Sequence, residues 1–235
     1  SIIDYRYQES DIVLVPSQYL RNKYLEISDG VYVDKLYVLP IPIDFSCFDF
    51  KMQKDLQFNL TTICAIKSIR NLMFNIDIVK CLINMGVACQ YDIYGMVPYM
   101  SDDSYLKSVK QYIEAQNLEN IVKIQTSLSG SECISSTLKQ YDFYLDFAQQ
   151  ETYGQAKIEA LACGLIPIMP SVGNNPALLP MGEAMYDGTA EEIAKELYAR
   201  FVEDNFLMSR REAYRMHAQT HFSDEIVSEM IKELL

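Results

Sequence analysis

Short apolar runs alternate with helical patterns along most of this 235-residue chain. This alternation constrains the fold more than any other feature of the sequence. Parallel strands need a crossover connection, which is usually a helix, so strands that alternate with helices predict a parallel sheet. We therefore expect an α/β fold, in which a doubly wound parallel sheet of the Rossmann-like type is covered by helices on both faces.

The predicted strands are short and rich in β-branched and aromatic residues, whereas the segments between them repeat apolar residues at helical spacing. Pro40 and Pro42 stop regular structure, and residues 45–57 are interpreted as a linker. Ser223 is expected to cap a last helix. The strands are expected at 12–15, 31–39, 60–66, 90–94, 121–124, 143–147 and 165–169, with a further short one at 184–186. The helices are expected at 17–27, 72–85, 105–116, 133–140 and 154–163, and from 190 onward.

Composition and charge argue against several classes of partner. A formal net charge of −12 argues against nucleic-acid binding, which needs clustered Lys and Arg, and against adhesion to anionic lipid. No apolar run approaches the ~18 residues that a membrane-spanning helix needs. The six cysteines form no C-x-x-C pair. Those in apolar segments are interpreted as buried thiols, for which a reducing cytoplasm is the simplest setting.

The segment after the predicted strand 143–147 carries two carboxylates, Glu151 and Glu159, eight positions apart. The first lies in a loop, and the second lies within a helix that begins near Gly154. The first turn of a helix has unpaired N–H groups and a partial positive charge, which favour an anion. A carboxylate on each side of that turn can bind the hydroxyl groups of a molecule attached to a phosphate. This chemistry suits a sugar nucleotide.

This segment resembles the E-x7-E motif of retaining GT-B glycosyltransferases of family 4, also called glycosyl transferases group 1. The chain departs from the family pattern at Thr152, where glycine is frequent, and by one extra residue before the proline. The resemblance implies a GT-B fold, a UDP-sugar or GDP-sugar as donor substrate, and no metal or other cofactor. The matching residues are Glu151, Gly154, Glu159, Ala160, Ala162, Gly164 and Pro167.

The resemblance extends across most of the chain. Residues 10–17 resemble the last strand of the family's N-terminal domain, and residues 38–48 resemble the crossover into its C-terminal domain, although the Asn-Gly of that turn is absent. Most of the N-terminal domain, which supplies the acceptor site in the family, is missing and is expected in the full-length protein. The implied organisation is the end of the N-terminal domain and crossover at 1–44, the linker at 45–57, the donor-binding domain at 58–222 and a C-terminal helix at 223–235.

The resemblance implies catalytic roles for Lys67, Arg70 and Glu151. Lys67 and Arg70 would hold the donor diphosphate and offset the charge on the departing nucleotide. The alternative interpretation is that both are solvated surface charges. Cations at a helix N-terminus are unfavourable because of the helix dipole, so their presence there favours a role in function. Glu151 would approach the donor sugar. The alternative is that its negative charge only stabilises the helix N-terminus through the helix dipole.

The remaining site residues are implied to bind the donor. Glu159 would accept hydrogen bonds from the ribose hydroxyls, with a partly solvated ion pair as the alternative. The backbone N–H groups of Thr152, Tyr153, Gly154 and Gln155 are candidates for phosphate and sugar contacts, and the Tyr153 side chain could stack on the pocket or merely form its wall.

Three more positions extend this binding set. Gly95 matches the glycine after the second strand of the family's C-terminal domain. Gly173 and Asn174 lie where the family has G-G-x-x-E, and an ordinary turn is their alternative. His217 and His221 have helical i, i+4 spacing but no third ligand nearby, so we expect no metal site.

The leading hypothesis is the donor-binding portion of a retaining hexosyltransferase, with a polysaccharide or glycolipid as acceptor. Because most of the acceptor domain is missing, this chain alone could be inactive. The alternative is a non-catalytic module of glycosyltransferase-like fold that binds a nucleotide sugar or a partner. A nucleotide-sugar epimerase is a third hypothesis, but the sequence does not place its acid–base residues. The expected location is the cytoplasm, and the missing domain could attach the protein to the inner membrane face.

Overall fold

The centre of the molecule is a parallel sheet in which five strands follow the spatial order β5-β4-β3-β6-β7. The computed structural model describes residues 9–50, 57–98, 103–125, 131–181, 185–202 and 207–234. The strands are β1 (Val13–Val15), β2 (Leu36–Val38), β3 (Phe58–Ile63), β4 (Cys89–Tyr94), β5 (Val122–Gln125), β6 (Phe143–Leu145) and β7 (Ile166–Ile168). The helices are α1 (Gln18–Ile27), α2 (Leu72–Asn84), α3 (Ser104–Ala115), α4 (Ser131–Leu138), α5 (Gln155–Ala162), α6 (Ala190–Val202), α7 (Leu207–Phe222) and α8 (Asp224–Leu234).

The strand order reverses beside β3. The chain runs outward from β3 through β4 to β5, and then returns to place β6 on the other side of β3. In open parallel sheets, such a reversal leaves a crevice beyond the C-terminal ends of the strands, where ligands bind. The predicted doubly wound parallel sheet is confirmed, and its topology directs attention to the ends of β3 and β6.

The core of this sheet is apolar and closely packed. Every residue of β6 and of the edge strand β7 is buried, as expected for a parallel sheet that is covered on both faces. Helix α5 packs against β7 and α7, and it carries Ala160 and Ala162, which are 1% and 0% exposed. Small side chains at these positions allow α5 to approach its neighbours closely, which fixes where the helix begins.

A second, smaller sheet pairs β1 with β2 in parallel. The segment after β2 returns to the end of the chain, where the Ile43 N–H donates to the Phe222 carbonyl over 2.8 Å and the Asp224 N–H donates to the Ile43 carbonyl over 3.2 Å. The Ile226 N–H donates to Ser223 Oγ over 3.4 Å, which confirms Ser223 as a helix cap. These contacts join α8 to the crossover segment.

The strand predicted at 31–39 is wrong over most of its length. Only Leu36–Val38 is a strand, because the preceding residues form successive turns in which the Val31 N–H donates to Ser28 and the Val33 N–H donates to Gly30. Asp29 and Gly30 both have positive φ, 48° and 76°, and lead the chain into these turns. Valine-rich composition predicted a strand, but the local turn residues decide the structure.

Parts of two other predicted segments lie outside the described residues. In the predicted linker 45–57, residues 51–56 are not described, whereas Phe45 and Phe48 pack in the main core with 8% and 3% exposure. In the predicted strand 184–186, Tyr186 is not in a strand, although its N–H donates to the Met169 carbonyl over 3.1 Å.

Within the described part of the chain, no helix is long and apolar enough to cross a membrane. All six cysteines are free thiols.

Candidate functional site

A cavity of about 300 Å³ opens at the C-terminal ends of β3 and β6, beside the first turn of α5. It therefore lies where the strand order reverses. Five of its lining residues are charged, two as cations and three as carboxylates. The lining residues are Ile63, Cys64, Ala65, Arg70, Tyr144, Asp146, Glu151, Gly154, Gln155, Ala156, Lys157 and Glu159.

The end of β6 is held by a fully buried side chain from α2. Asn75 donates from Nδ2 to the Leu145 carbonyl over 3.4 Å, and its Oδ1 accepts the Phe147 N–H over 3.1 Å. Between these two anchored residues lies Asp146, whose Oδ1 accepts the Ala148 N–H over 3.0 Å. The other carboxylate oxygen of Asp146 is thereby directed towards the cations of the cavity.

Helix α5 presents its N-terminus to the cavity. Gly154 caps the helix with a φ of +97°, a conformation that favours glycine, and an added Cβ would lie 2.7 Å from Leu178 Cδ1. Its carbonyl accepts the N–H groups of Lys157 and Ile158. Gln155 and Ala156 belong to the first turn, so their N–H groups have no acceptor within the helix and remain available to a ligand.

Lys157 is the most deeply buried charge of the cavity. Its side chain is 1% exposed, and Nζ lies 2.8 Å from Asp146 Oδ2 and 2.5 Å from Glu151 Oε2. The two carboxylates are 2% and 9% exposed. A buried ammonium is tolerated only where opposite charges replace its hydration, and two carboxylates meet that requirement here.

Arg70 completes a four-charge cluster. Its Nη1 lies 3.3 Å from Glu151 Oε2 and 3.7 Å from Asp146 Oδ2, and its side chain is 26% exposed. Burial alone would lower the pKa of Arg70, but Asp146 and Glu151 outweigh burial and raise it. Burial would likewise raise the pKa of Glu151, yet Lys157 and Arg70 hold it below its ordinary value. The charged forms of Arg70 and Glu151 are therefore stabilised by their neighbours in the cluster.

The acceptor capacity of Glu151 is fully used in this structure. Oε1 accepts the N–H groups of Thr152 and Tyr153 over 3.0 and 3.3 Å, and Oε2 accepts Lys157 and Arg70. A carboxylate has about four acceptor sites, so a sugar hydroxyl would have to displace one of these donors. The geometry favours a positioning role for Glu151, and the predicted contact with the donor sugar stays a prediction.

Glu159 lies on the same face of α5 and keeps acceptor capacity. Its Oε1 accepts Gln155 Nε2 over 3.2 Å, and the residue is half-buried in the cavity wall. Burial raises the pKa of Glu159 above its ordinary value, and the Gln155 hydrogen bond offsets only part of this effect. Within the described residues, Gln155 Oε1 is buried without a partner.

Thr152 and Tyr153 face the segment before the central sheet. The Thr152 carbonyl accepts Ser17 Oγ over 2.6 Å. The Tyr153 hydroxyl donates to the Ile41 carbonyl over 2.8 Å, and the ring packs edge-to-face on Phe222. The Tyr153 side chain does not line this cavity. The N–H groups of Thr152 and Tyr153 already donate to Glu151, so among the four predicted phosphate donors only those of Gly154 and Gln155 do not bond this carboxylate, and the phosphate contact stays a prediction.

Gly173 and Asn174 brace the loop that carries Glu151. An added Cβ at Gly173 would lie 2.0 Å from the Glu151 carbonyl oxygen, so only glycine fits. Asn174 donates its N–H to the same oxygen over 3.0 Å, and its Nδ2 donates to the Tyr153 carbonyl over 2.8 Å. Neither residue lines the cavity.

Gly95 and Lys67 lie beside the cavity rather than in it. Gly95 lines a neighbouring apolar cavity of about 360 Å³, which shares Ile63, Cys64 and Ala65 with the first. An added Cβ at Gly95 would lie 2.0 Å from the Cys64 carbonyl oxygen, which explains the glycine by packing alone. Lys67 is exposed and makes no ion pair with another described residue.

Sequence reasoning missed Asp146 and Lys157. The predicted strand 143–147 includes Asp146 without a role for its side chain, and the motif gives no role to Lys157. The available signals were a charged residue directly after the apolar strand β6, and another between Ala156 and Ile158 in the first turns of α5. In the described part of the chain, no group of three or more His, Cys, Asp or Glu side chains is arranged to hold a metal ion.

The fold matches the C-terminal domain of GT-B glycosyltransferases. HepE from Anabaena, in complex with UDP and glucose, superposes with a TM-score of 0.83 at 16% identity, covering 99% of this chain and 64% of that one. TarM from S. aureus, in a complex that includes UDP, gives 0.76 at 14%, covering 97% and 44%. The pneumococcal O-GlcNAc transferase GtfA, with UDP and GlcNAc, gives 0.72 at 20%, covering 98% and 46%.

The TM-scores show a shared fold, and identities this low show the fold alone. This chain spans 64% of the HepE chain and less than half of the other two. No model of a protein family matches the sequence, and no curated protein does.

Proposed function

We propose that this chain is the donor-binding portion of a glycosyltransferase and that its cavity binds a nucleotide diphosphate sugar. The observation that carries the proposal is the junction of two features at the end of β3 and β6. The N-terminus of α5 opens on the cavity with free N–H groups, and Arg70 lies opposite with 26% exposure. Both features bind phosphate oxygens, and neither needs to move far to do so.

The nucleoside end of the donor would be recognised by Glu159. Its carboxylate lies between one and two turns into α5, close enough to the phosphate position for the ribose that follows. Glu159 has one partner, Gln155, so lone pairs remain for two vicinal hydroxyls. Gln155 has a buried oxygen without a partner among the described residues, which a donor hydroxyl would satisfy.

The finer assignments extend this proposal. A retaining transfer of a hexose from a UDP-sugar or GDP-sugar would occur without a metal ion, since Arg70 and the α5 N-terminus stabilise the departing diphosphate. Lys67 would add a mobile charge at the rim. The acceptor would be a saccharide or glycolipid that binds across from this site, on further chain that precedes these residues. We place the protein in the cytoplasm, with any membrane attachment through that further chain. The motif supports the retaining transfer, and UDP in the HepE, TarM and GtfA complexes supports a UDP-sugar as donor.

One observation favours a second candidate function. The four donors on Glu151 leave no acceptor site for the sugar, so the group assigned to the reacting end of the donor is occupied. A module that binds a nucleotide sugar without turnover would show the same arrangement. Single-turnover transfer by the full-length protein separates the two functions, because only an enzyme moves labelled sugar to water or acceptor.

Calorimetric titration of the chain with UDP, GDP and ADP tests donor binding. At least one of the three should bind, and Glu159→Gln should weaken that binding about tenfold, since it removes charge-assisted hydrogen bonds to two hydroxyls. Glu229→Gln is the matched control, because Glu229 is 72% exposed on α8. Absence of binding to all three nucleotides would contradict the donor site. Equal binding by Glu159→Gln would contradict the ribose assignment alone.

A further inference from the structure

Lys157 has a property that ion pairing alone does not explain. Of the described lysines and arginines, only Lys157 and Arg211 are buried, and Arg211 does not line the cavity. Lysine is among the residues least often buried, because removing its ammonium from water is costly. Its burial in the wall of a ligand-sized cavity is therefore a feature that requires a reason.

The ammonium of Lys157 keeps one N–H group unused. A lysine ammonium has three donors. Glu151 Oε2 accepts one of them, and Asp146 Oδ2 forms an ion pair with Nζ at 2.8 Å. No third acceptor occurs among the described residues. Lys157 lines the cavity, so a ligand oxygen bound there is the acceptor that the inference assigns to the third N–H.

Stability is a weak reason for such a cluster. Replacing a complete buried ion pair with apolar residues of similar size is often neutral or stabilising. The four groups do provide a cation whose position is fixed before a ligand arrives, which a surface lysine such as Lys67 cannot offer. An exposed lysine loses side-chain entropy on binding, whereas Lys157 has already lost it on folding.

We propose that Lys157 is a direct phosphate-binding residue of this cavity, and that Asp146 and Glu151 are the positioning residues that hold its ammonium. This inference rests on the proposed nucleotide-sugar site and adds to it. The diphosphate would accept the third N–H of Lys157, together with Arg70 and the first-turn N–H groups of α5. The first glutamate of the motif then acts through a lysine six residues later, rather than on the sugar.

The test compares removal of the lysine with removal of its partner. Lys157→Met alone would leave two buried carboxylates short of a cation, so the lysine is removed in the pair Asp146→Asn/Lys157→Met, with Asp146→Asn as the reference. We expect Asp146→Asn to bind UDP at least as tightly as the wild type, because the asparagine oxygen still accepts from Lys157 and holds it in place, while the ammonium is less neutralised. We expect the double variant to bind UDP about tenfold more weakly than Asp146→Asn.

Uridine, which has no phosphate, provides the internal control. Its affinity should be the same in all three proteins if Lys157 contacts only phosphate. Lys195→Met changes the same formal charge at a side chain that is 63% exposed on α6, and it should leave both affinities unchanged.

Each other outcome has a distinct meaning. Equal UDP affinity of the double variant and Asp146→Asn overturns the inference, and so does an equal loss of uridine and UDP affinity, which indicates a structural role. If the double variant does not fold, Asp146→Asn alone decides, because a loss of UDP affinity with uridine unchanged contradicts the inference. Failure of the wild type to bind UDP, GDP or ADP overturns the proposed function as well.

Discussion

Nζ of Lys157 lies 2.5 Å from Oε2 of Glu151. The charge of the first glutamate of the motif is therefore neutralised by a lysine in the first turn of α5, six residues later. The loop from Glu151 to Gly154 and the first turn of α5 thereby form one electrostatic unit with Arg70 and Asp146. This unit fixes a helix N-terminus, two cations and Glu159 around a single cavity.

Removing the Glu151 carboxylate should destabilise the fold. Glu151→Ala leaves the buried Lys157 with one partner and frees two loop N–H groups, so we expect a loss of about 3 kcal/mol or more in the free energy of unfolding. Glu26→Ala breaks an exposed pair with Lys23 and should have little effect, because water screens exposed ion pairs. Urea denaturation of both variants measures the difference. Similar losses in the two variants would show that the cluster is not a stabilised unit.

Glu159 should make stability fall as pH rises. The folded state holds the Glu159 proton more strongly than the unfolded state, because burial raises its pKa above the ordinary value near 4.5. Stability is therefore lost from about pH 4.5 upward to the folded pKa, and is constant above it. Glu159→Gln should consequently gain stability relative to the wild type at pH 7 and little at pH 4. Denaturation of both proteins at pH 4 and pH 7 gives the stability of Glu159→Gln minus that of the wild type. A difference that is smaller at pH 7 than at pH 4 would contradict the prediction.

Glu151 should act in the opposite direction. Its pKa is lowered in the folded state, so its contribution is present above about 4.5, the ordinary value, and is lost as pH falls through the folded pKa. We expect the stability difference between the wild type and Glu151→Gln to shrink on acidification below pH 4.5. A difference that stays constant between pH 7 and pH 3 would show that charge does not carry the role of Glu151.

Gly173 should tolerate substitution far less well than Gly86. Both have positive φ, 59° and 84°, so alanine is strained at either position by about 1 kcal/mol. Nothing lies within 4 Å of an added Cβ at Gly86, whereas at Gly173 it would overlap the Glu151 carbonyl oxygen at 2.0 Å. Gly173→Ala should therefore displace the Glu151 loop and lower both stability and nucleotide affinity. Equal denaturation midpoints for the two alanine variants would argue against this packing role.

The cavity thiol should be chemically inert. Burial and the nearby Asp146 raise the pKa of Cys64 to about 12, so almost no thiolate is present at pH 8. Cys133 is exposed on α4 and should react with iodoacetamide much faster. Mass spectrometry of partly alkylated protein measures the ratio. Labelling of Cys64 as fast as Cys133 would indicate an open, hydrated cavity.

The sequence indicated those neighbours in the cavity that lie close together along the chain. Gly154 and Glu159 line one cavity, and the strand–loop–helix pattern had indicated this proximity because a helix that starts at a strand end presents its first turn to the sheet edge. The same pattern left the partners of Glu151 undetermined. The N–H groups of Thr152 and Tyr153 reach the carboxylate only through the conformation of the loop. Arg70 is 81 positions away, and the fold brings it to Glu151.

Lys67 shows that residue spacing does not determine which charged side chain reaches the cavity. Lys67 and Arg70 both follow β3, and their proximity in sequence predicted a pair of cations in one site. A short 3-10 turn at Ser68–Arg70 separates them, leaving Lys67 exposed while Arg70 reaches the cavity. Asn71, with a φ of 51°, then starts α2. A single turn of this kind changes which side chain faces the site, and residue spacing alone does not predict it.

A crystal structure of the chain with saturating UDP tests the account most directly. We predict that phosphate oxygens lie within about 3.2 Å of Lys157 Nζ and of the first-turn N–H groups of α5, and that ribose hydroxyls contact Glu159. Glu151 should keep its four donors. Phosphates that contact only Lys67 and Arg70, or UDP bound away from the α5 N-terminus, would contradict the account.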